Sequence, residues 1–305
     1  MDAVVVNNII KTYGKKKEVK ALNDISFNVS KAELFGIIGP DGAGKTSLFR
    51  ILTTLLLADK GTATVDGFDV VKDYKQIRNR VGYMPGRFSL YPDLTVRENL
   101  DFFATIFNTS IEENYELVKD IYSQIEPFRD RKAGKLSGGM KQKLALSCAL
   151  IHRPSVLFLD EPTTGVDAVS RKEFWEMLKR LKEQGITILV STPYMDEAGL
   201  CDRVALLQSG KILSINTPRG VIDEFGKTLL AVKSNNMLQL LDDLKEYEAV
   251  EDAYAFGEYH HAVMKSGGRE ELDNYLKGTT RDYEIKEARP DIEDCFIALM
   301  KNKNE

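Results

Sequence analysis

Three short runs of apolar residues without polar alternation mark the middle of the chain: Leu34-Phe35-Gly36-Ile37-Ile38, Val156-Leu157-Phe158-Leu159 and Ile186-Thr187-Ile188-Leu189-Val190. Each reads as a strand buried on both faces, the pattern of an α/β core. Val4 to Ile10, Ile25 to Val29 and Thr62 to Gly67 are instead β-branched segments that predict a small antiparallel sheet preceding and flanking the first run. Val81 to Gly86 reads as a further strand that stops at Pro85 and Gly86. From about residue 98 to about 150 the period becomes helical, with Leu100, Phe103, Ile106, Phe107, Leu117, Ile121 and Ile125 as its apolar positions. Thr95 and Glu98 stand in capping-box spacing where it begins. An all-helical insertion between core strands is therefore expected. Phe174, Met177, Leu178 and Leu181 share one face of a later helix that Gly185 ends.

The pattern changes again near residue 218. Leu229–Val232, Met237–Leu244, the hairpin Ala253–Phe256 and His260–Met264 around Gly257, Glu270–Leu276 and Tyr283–Ala288 follow the order β-α-β-β-α-β, and a helix over Ile292–Met300 closes the chain. That order predicts a small ferredoxin-like α+β domain over 218–305, behind a larger α/β domain over 1–217 with a mixed core sheet.

Candidate chemistry concentrates where the first buried run ends. Gly39-Pro40-Asp41-Gly42-Ala43-Gly44-Lys45-Thr46 matches G-x-x-x-x-G-K-T in the strand, loop and helix setting that motif needs, with Ser47 next in the helix. Glycines let successive backbone N–H groups turn around an anion, and the helix adds its positive end. Lys45 then reaches the outer phosphates of a nucleoside triphosphate and Thr46 holds Mg²⁺; a ligand-free glycine turn would not need the flanking elements. Leu136-Ser137-Gly138-Gly139-Met140 opens a second helix with a hydroxyl and unhindered amides, a weaker anion cradle when taken alone. Asp160 and Glu161 end the second buried run, where a carboxylate can support Mg²⁺ and its neighbour can polarise water. Tyr13 reads either as a stacking platform for a nucleobase or as an ordinary half-buried tyrosine.

Composition narrows the partners. A net charge of -4 over 305 residues gives no general attraction to nucleic acid or to an anionic membrane, so membrane contact is expected through a protein partner only. The Lys15-Lys16-Lys17 run reads as a solvated loop. The three cysteines, Cys148, Cys201 and Cys295, have no paired spacing and read as reduced packing residues of a cytosolic chain. No signal pattern and no apolar run of about 18 residues is present, so neither export nor membrane spanning is expected. His260 and His261 should point to opposite strand faces and suggest no metal site.

With these motifs in this order, the chain resembles the nucleotide-binding subunit of an ATP-binding cassette (ABC) transporter over about residues 3 to 217. The resemblance rests on the phosphate loop, the Leu136–Met140 signature, Asp160-Glu161 and the Gly165-Val166-Asp167 loop. It implies that Tyr13 stacks on adenine, that Asp160 supports Mg²⁺ and that Glu161 is the base or orienter for the attacking water. It also implies that two such domains close head to tail, so that Ser137, Gly138 and Gly139 of one grip the γ-phosphate held by Lys45 of the other. The Leu-Tyr-x-x-Leu-Thr-Val pattern after Gly86 is similar to that of ABC-2-type exporters, and the motifs are similar to the first domain of tandem-ATPase multidrug exporters. The run Ile292-Glu293-Asp294-Cys295-Phe296 is similar to the C-terminal segment of such ATPases, where it reads as a dimerising or regulatory module or as a packing extension.

Two positions depart from the pattern. The family places glutamine where Gly86 stands and histidine where Pro193 stands. Proline has neither an N–H nor a polar side chain, so it replaces neither contact of the histidine. The resemblance thus implies an ATPase subunit at the cytoplasmic face of the membrane, serving a separate ABC-2-type permease, with a site that binds ATP well and hydrolyses it slowly. A heterodimer with a better-equipped ATPase subunit follows, with a homodimer of two slow sites as the alternative. A nearly non-hydrolytic regulatory subunit is a second reading. A soluble DNA-repair or translation ATPase is a third, opposed by the lack of a long coiled coil, of a second cassette and of a basic face.

Overall fold

The computed structural model describes residues 1–14, 18–87, 89–279 and 282–302. The Lys15-Lys16-Lys17 run lies outside the described residues. Two compact units divide the chain, one from Met1 to Arg219 and one from Gly220 onward.

The first unit opens with β1 (Asp2–Tyr13), β2 (Val19–Ser30), β3 (Leu34–Ile38), α1 (Lys45–Leu52), β4 (Lys60–Val65), β5 (Phe68–Asp69), α2 (Tyr74–Arg78) and β6 (Val81–Met84). It continues with α3 (Val96–Ile106), α4 (Ile111–Tyr122), α5 (Gly138–Leu150), β7 (Val156–Asp160), α6 (Ala168–Glu183), β8 (Thr187–Thr192), β9 (Arg203–Gln208) and β10 (Lys211–Asn216). β3, β7 and β8 are buried at every position, as their unbroken apolar runs require. They lie in a six-stranded sheet of order β10-β9-β3-β8-β7-β6, parallel except for the β10 edge. The β-branched segments form a separate antiparallel sheet of order β2-β1-β4-β5. One hydrophobic cluster joins both sheets to α1, with Phe27 stacked on Phe35 at 5.4 Å and Phe49 edge-on to Phe158 at 5.6 Å.

The helical insertion is α3, α4 and α5 with two single-turn helices between the last two. Thr95 and Glu98 form the expected reciprocal cap: Glu98 N donates to Thr95 Oγ1 at 3.1 Å and Thr95 N to Glu98 Oε2 at 2.8 Å. Thr95→Ala should lower unfolding stability by about 1 kcal/mol, seen as a lower denaturant midpoint at unchanged slope; an unmoved midpoint would contradict this. The buried stripe of α3 differs from expectation. Ile106 is 53% exposed, while Asn99 is fully buried beside Val96 and Leu100. Asn99 turns inward because its amide bonds to Tyr91 N and O and to Thr95 O, tying down the preceding loop. Hydrophobic spacing does not register a polar side chain satisfied in this way.

After α7 (Pro218–Asp223), the second unit contains β11 (Leu229–Ser234), α8 (Met237–Glu246), β12 (Val250–Phe256), β13 (Tyr259–Met264), α9 (Arg269–Thr279), β14 (Tyr283–Ala288) and α10 (Ile292–Asn302). Its sheet is antiparallel, of order β12-β13-β11-β14, with the βαββαβ succession of the split unit. Leu230, Val232, Ala262 and Met264 pack against Leu240, Leu244, Leu272 and Leu276 of α8 and α9. The adjacent histidines turn to different helices: His260 Nε2 donates to Met237 O at 2.7 Å, and His261 Nδ1 meets Asp294 Oδ1 on α10 at 2.7 Å. Asp294 is fully buried. Burial by itself would raise its pKa, but hydrogen bonds from His261, the backbone and Tyr254 hold the carboxyl below its usual range. All three cysteines are free and buried. No helix among the described residues is long and apolar enough to cross a membrane.

Candidate functional site

β3, β8 and β7 are adjacent and parallel, so their carboxyl ends meet at one edge of the sheet, where ligands of open α/β folds bind. The register pairs Ile38 with Thr192 and Asp160 with Ser191. Residues far apart in sequence, Gly39, Asp160-Glu161 and Pro193, thereby come to the same edge.

The phosphate loop needs its glycines for room. A Cβ on Gly39 would lie 2.1 Å from Leu207 O, and one on Gly44, already at φ +110, would lie 2.3 Å from Ala21 O. Gly39 N donates to Thr192 O at 3.2 Å and Ala43 N to Pro40 O at 3.2 Å, which folds Pro40, Asp41 and Gly42 into a tight turn before α1. Lys45 is only 3% exposed, and its ammonium is held by Gly39 O at 2.8 Å, Pro40 O at 3.0 Å and Glu161 Oε1 at 3.1 Å. Three acceptors match its three protons. Thr46 and Ser47 lie in the first turn of α1, half-buried. Tyr13, 40% exposed at the end of β1, reaches this turn through its hydroxyl, 3.0 Å from Ser47 Oγ.

The two acids differ. Asp160 is 2% exposed and accepts a hydrogen bond from Ser191 Oγ at 2.6 Å. Glu161 is more open and takes the left-handed backbone conformation, φ +51, with its N–H 3.0 Å from Ser191 O and 3.1 Å from Ser191 Oγ. Burial and then the charge of Asp160 push the Tyr83 hydroxyl on β6 up to about 12.

Both departures from the family pattern lie beside these groups. A Cβ on Gly86 would stand 3.0 Å from Asp160 O and 3.8 Å from Glu161 Cβ. Pro193 directly follows Thr192, whose hydroxyl donates to the buried Glu197 at 2.5 Å and accepts from Tyr194 N at 3.1 Å. Arg171 of α6 lies over the Tyr194 ring at 4.5 Å.

The signature run sits elsewhere on the same unit. Ser137 caps α5 by accepting from Met140 N at 3.3 Å, and Leu136 is buried beneath it. Gly138 faces Gly165 O, and a Cβ on Gly139 would come within 2.8 Å of Ser170 Oγ, so a side chain there would have to push the Ser170 side chain of α6 aside. Asp167 caps α6 through Val169 N at 3.1 Å and Ser170 N at 3.0 Å, bonds that lower its pKa. Among the described residues, no hydrogen bond or ion pair joins Leu136–Met140 to the phosphate loop of its own chain.

A buried lysine in a glycine loop at a helix start, set against an acid pair at the carboxyl edge of a parallel sheet, defines a phosphate-loop nucleotide-binding domain. A family model described as ABC transporter matches residues 22–164. The probable multidrug ABC transporter ATP-binding protein YbhF of Escherichia coli is 36% identical over 303 residues, covering 98% of this chain but 52% of its own length. The chain thus spans about half the length of that relative. The Nod factor export ATP-binding protein I of Bradyrhizobium diazoefficiens is 34% identical, with 99% of this chain and 98% of that protein covered. Among solved structures, the dimeric post-hydrolysis state of the cassette MJ0796 bound to ADP and Pi aligns with a TM-score of 0.64 at 27% identity, over 70% of this chain and 98% of that one. The chain belongs to the ATP-binding proteins of ABC transporters.

Ser191, which bonds to both acids, is a functional residue that the sequence pattern does not single out. A serine at the end of an otherwise apolar buried strand was the available signal. The left-handed backbone of Glu161 had none.

Proposed function

We propose that this chain is the ATPase subunit of an ABC-2-type exporter, working at the cytoplasmic face of the membrane through a separate permease and paired with a second, better-equipped ATPase subunit. The observation that carries this is the combination around one pocket: Lys45, Thr46, Asp160 and Glu161 are in place, while Gly86 and Pro193 supply no polar group. Relatives named for multidrug and Nod factor export support the direction of transport.

Phosphate oxygens entering the loop replace Glu161 as the third acceptor of the Lys45 ammonium. The released carboxylate then takes a proton from water as the water oxygen bonds to the γ-phosphorus and the bond to the β-phosphate oxygen breaks. Thr46 and Asp160 offer the hard oxygen donors that suit Mg²⁺, which when bound neutralises phosphate charge. Tyr13 supplies a ring face for adenine, and Ser137, Gly138 and Gly139 close on the partner's nucleotide with Asp167 beside them. The small C-terminal unit serves as an accessory module.

ATP turnover measured alone and after mixing with a histidine-bearing partner subunit tests this pairing. Turnover should rise on mixing. Changing Ser137 here should abolish that rise, and changing Lys45 should reduce it much less. Equal loss from both variants contradicts the asymmetry and favours a homodimer with two slow sites.

A further inference from the structure

We infer that Ser191 is a positioning residue that sets both acids of the ATP site, a role that rests on the nucleotide-binding reading above. The residue is fully buried at the end of β8, after Ile188, Leu189 and Val190, where an apolar side chain would suit the strand. Its hydroxyl instead makes two bonds with different acids. It donates to Asp160 Oδ1 at 2.6 Å, a short charge-assisted contact, and accepts from Glu161 N at 3.1 Å. The ladder bond from Glu161 N to Ser191 O at 3.0 Å already satisfies that amide, so strand pairing does not require the hydroxyl.

Two consequences follow. Engaging Oδ1 limits the rotation of the Asp160 carboxylate and leaves Oδ2 outside this bond. The second bond adds to the ladder bond on the N–H of Glu161, whose backbone is left-handed, φ +51, a conformation uncommon for a non-glycine residue. One hydroxyl thus orients the metal-side acid and the water-side acid together.

The test compares Ser191→Ala and Ser191→Thr with the wild-type chain. Mn²⁺ binding is followed by electron paramagnetic resonance in the presence of a non-hydrolysable ATP analogue, beside metal-free binding of the same analogue. Ser191→Ala should raise half-saturating Mn²⁺ about tenfold while metal-free analogue binding stays within about twofold. Ser191→Thr, which keeps the hydroxyl, should restore the metal response to within about threefold of wild type. Wild-type metal binding by Ser191→Ala, or an Ala-like loss in Ser191→Thr with analogue binding retained, overturns the role. If Ser191→Ala does not fold, the threonine variant decides by the same criterion. If threonine also fails to fold, the serine serves packing and the role is overturned. A wild-type chain that binds no analogue would instead refute the nucleotide-binding reading itself.

Discussion

Pro193→His should raise ATP turnover by the purified chain about a hundredfold or more. The histidine would enter directly after Thr192, whose carbonyl accepts from Gly39 N, so the new ring starts from the strand end that touches the phosphate loop. A preorganised donor at developing charge is worth about 3 to 4 kcal/mol, or roughly a hundred- to a thousandfold in rate. Gly86→Gln should add less. Its Cβ must find space 3.0 Å from Asp160 O, so the β6 end has to give by a few tenths of an ångström or displace the acids it is meant to assist. The single proline variant is therefore the cleaner experiment, with steady-state phosphate release as its measurement. A wild-type chain within a fewfold of Pro193→His would remove the case for a weak site and, with it, for an obligatory partner.

Lys45→Ala should weaken ATP binding by about a hundredfold or more, read by titration with a fluorescent ATP analogue. The ammonium is 3% exposed and already aimed by two loop carbonyls, so little ordering remains when phosphate arrives. Removing one partner of a buried, hydrogen-bonded charge pair typically costs about 2 to 5 kcal/mol, part of it from the charge left unpaired, here that of the bound phosphate. Lys45→Arg should not restore affinity, because a planar guanidinium needs more width than a buried ammonium slot offers. A loss below about tenfold for Lys45→Ala would mean that the loop backbone alone carries phosphate recognition.

The buried strands β3, β7 and β8 and the cap at Thr95 were legible in the sequence because each rests on local pattern. The β9-β10 pair and the short β5 were not read: β5 has two residues, and β10 carries no fully buried position that would mark it. Ile106, the last residue of α3, is exposed, whereas the polar Asn99 is buried, and hydrophobic spacing marks neither.

By itself the sequence determined the chemistry available: a lysine and threonine in a glycine loop, two adjacent carboxylates, a serine-glycine signature, and the lack of a polar side chain at Gly86 and Pro193. Only the tertiary structure decided which of these meet. The strand order β3-β8-β7-β6 sets three carboxyl ends and Gly86 side by side, and the register of β7 on β8 delivers Ser191 to both acids. The reason is physical: apolar runs state that a strand is buried, whereas its neighbours are chosen by packing and ladder bonds between residues too distant in sequence for any local pattern to record.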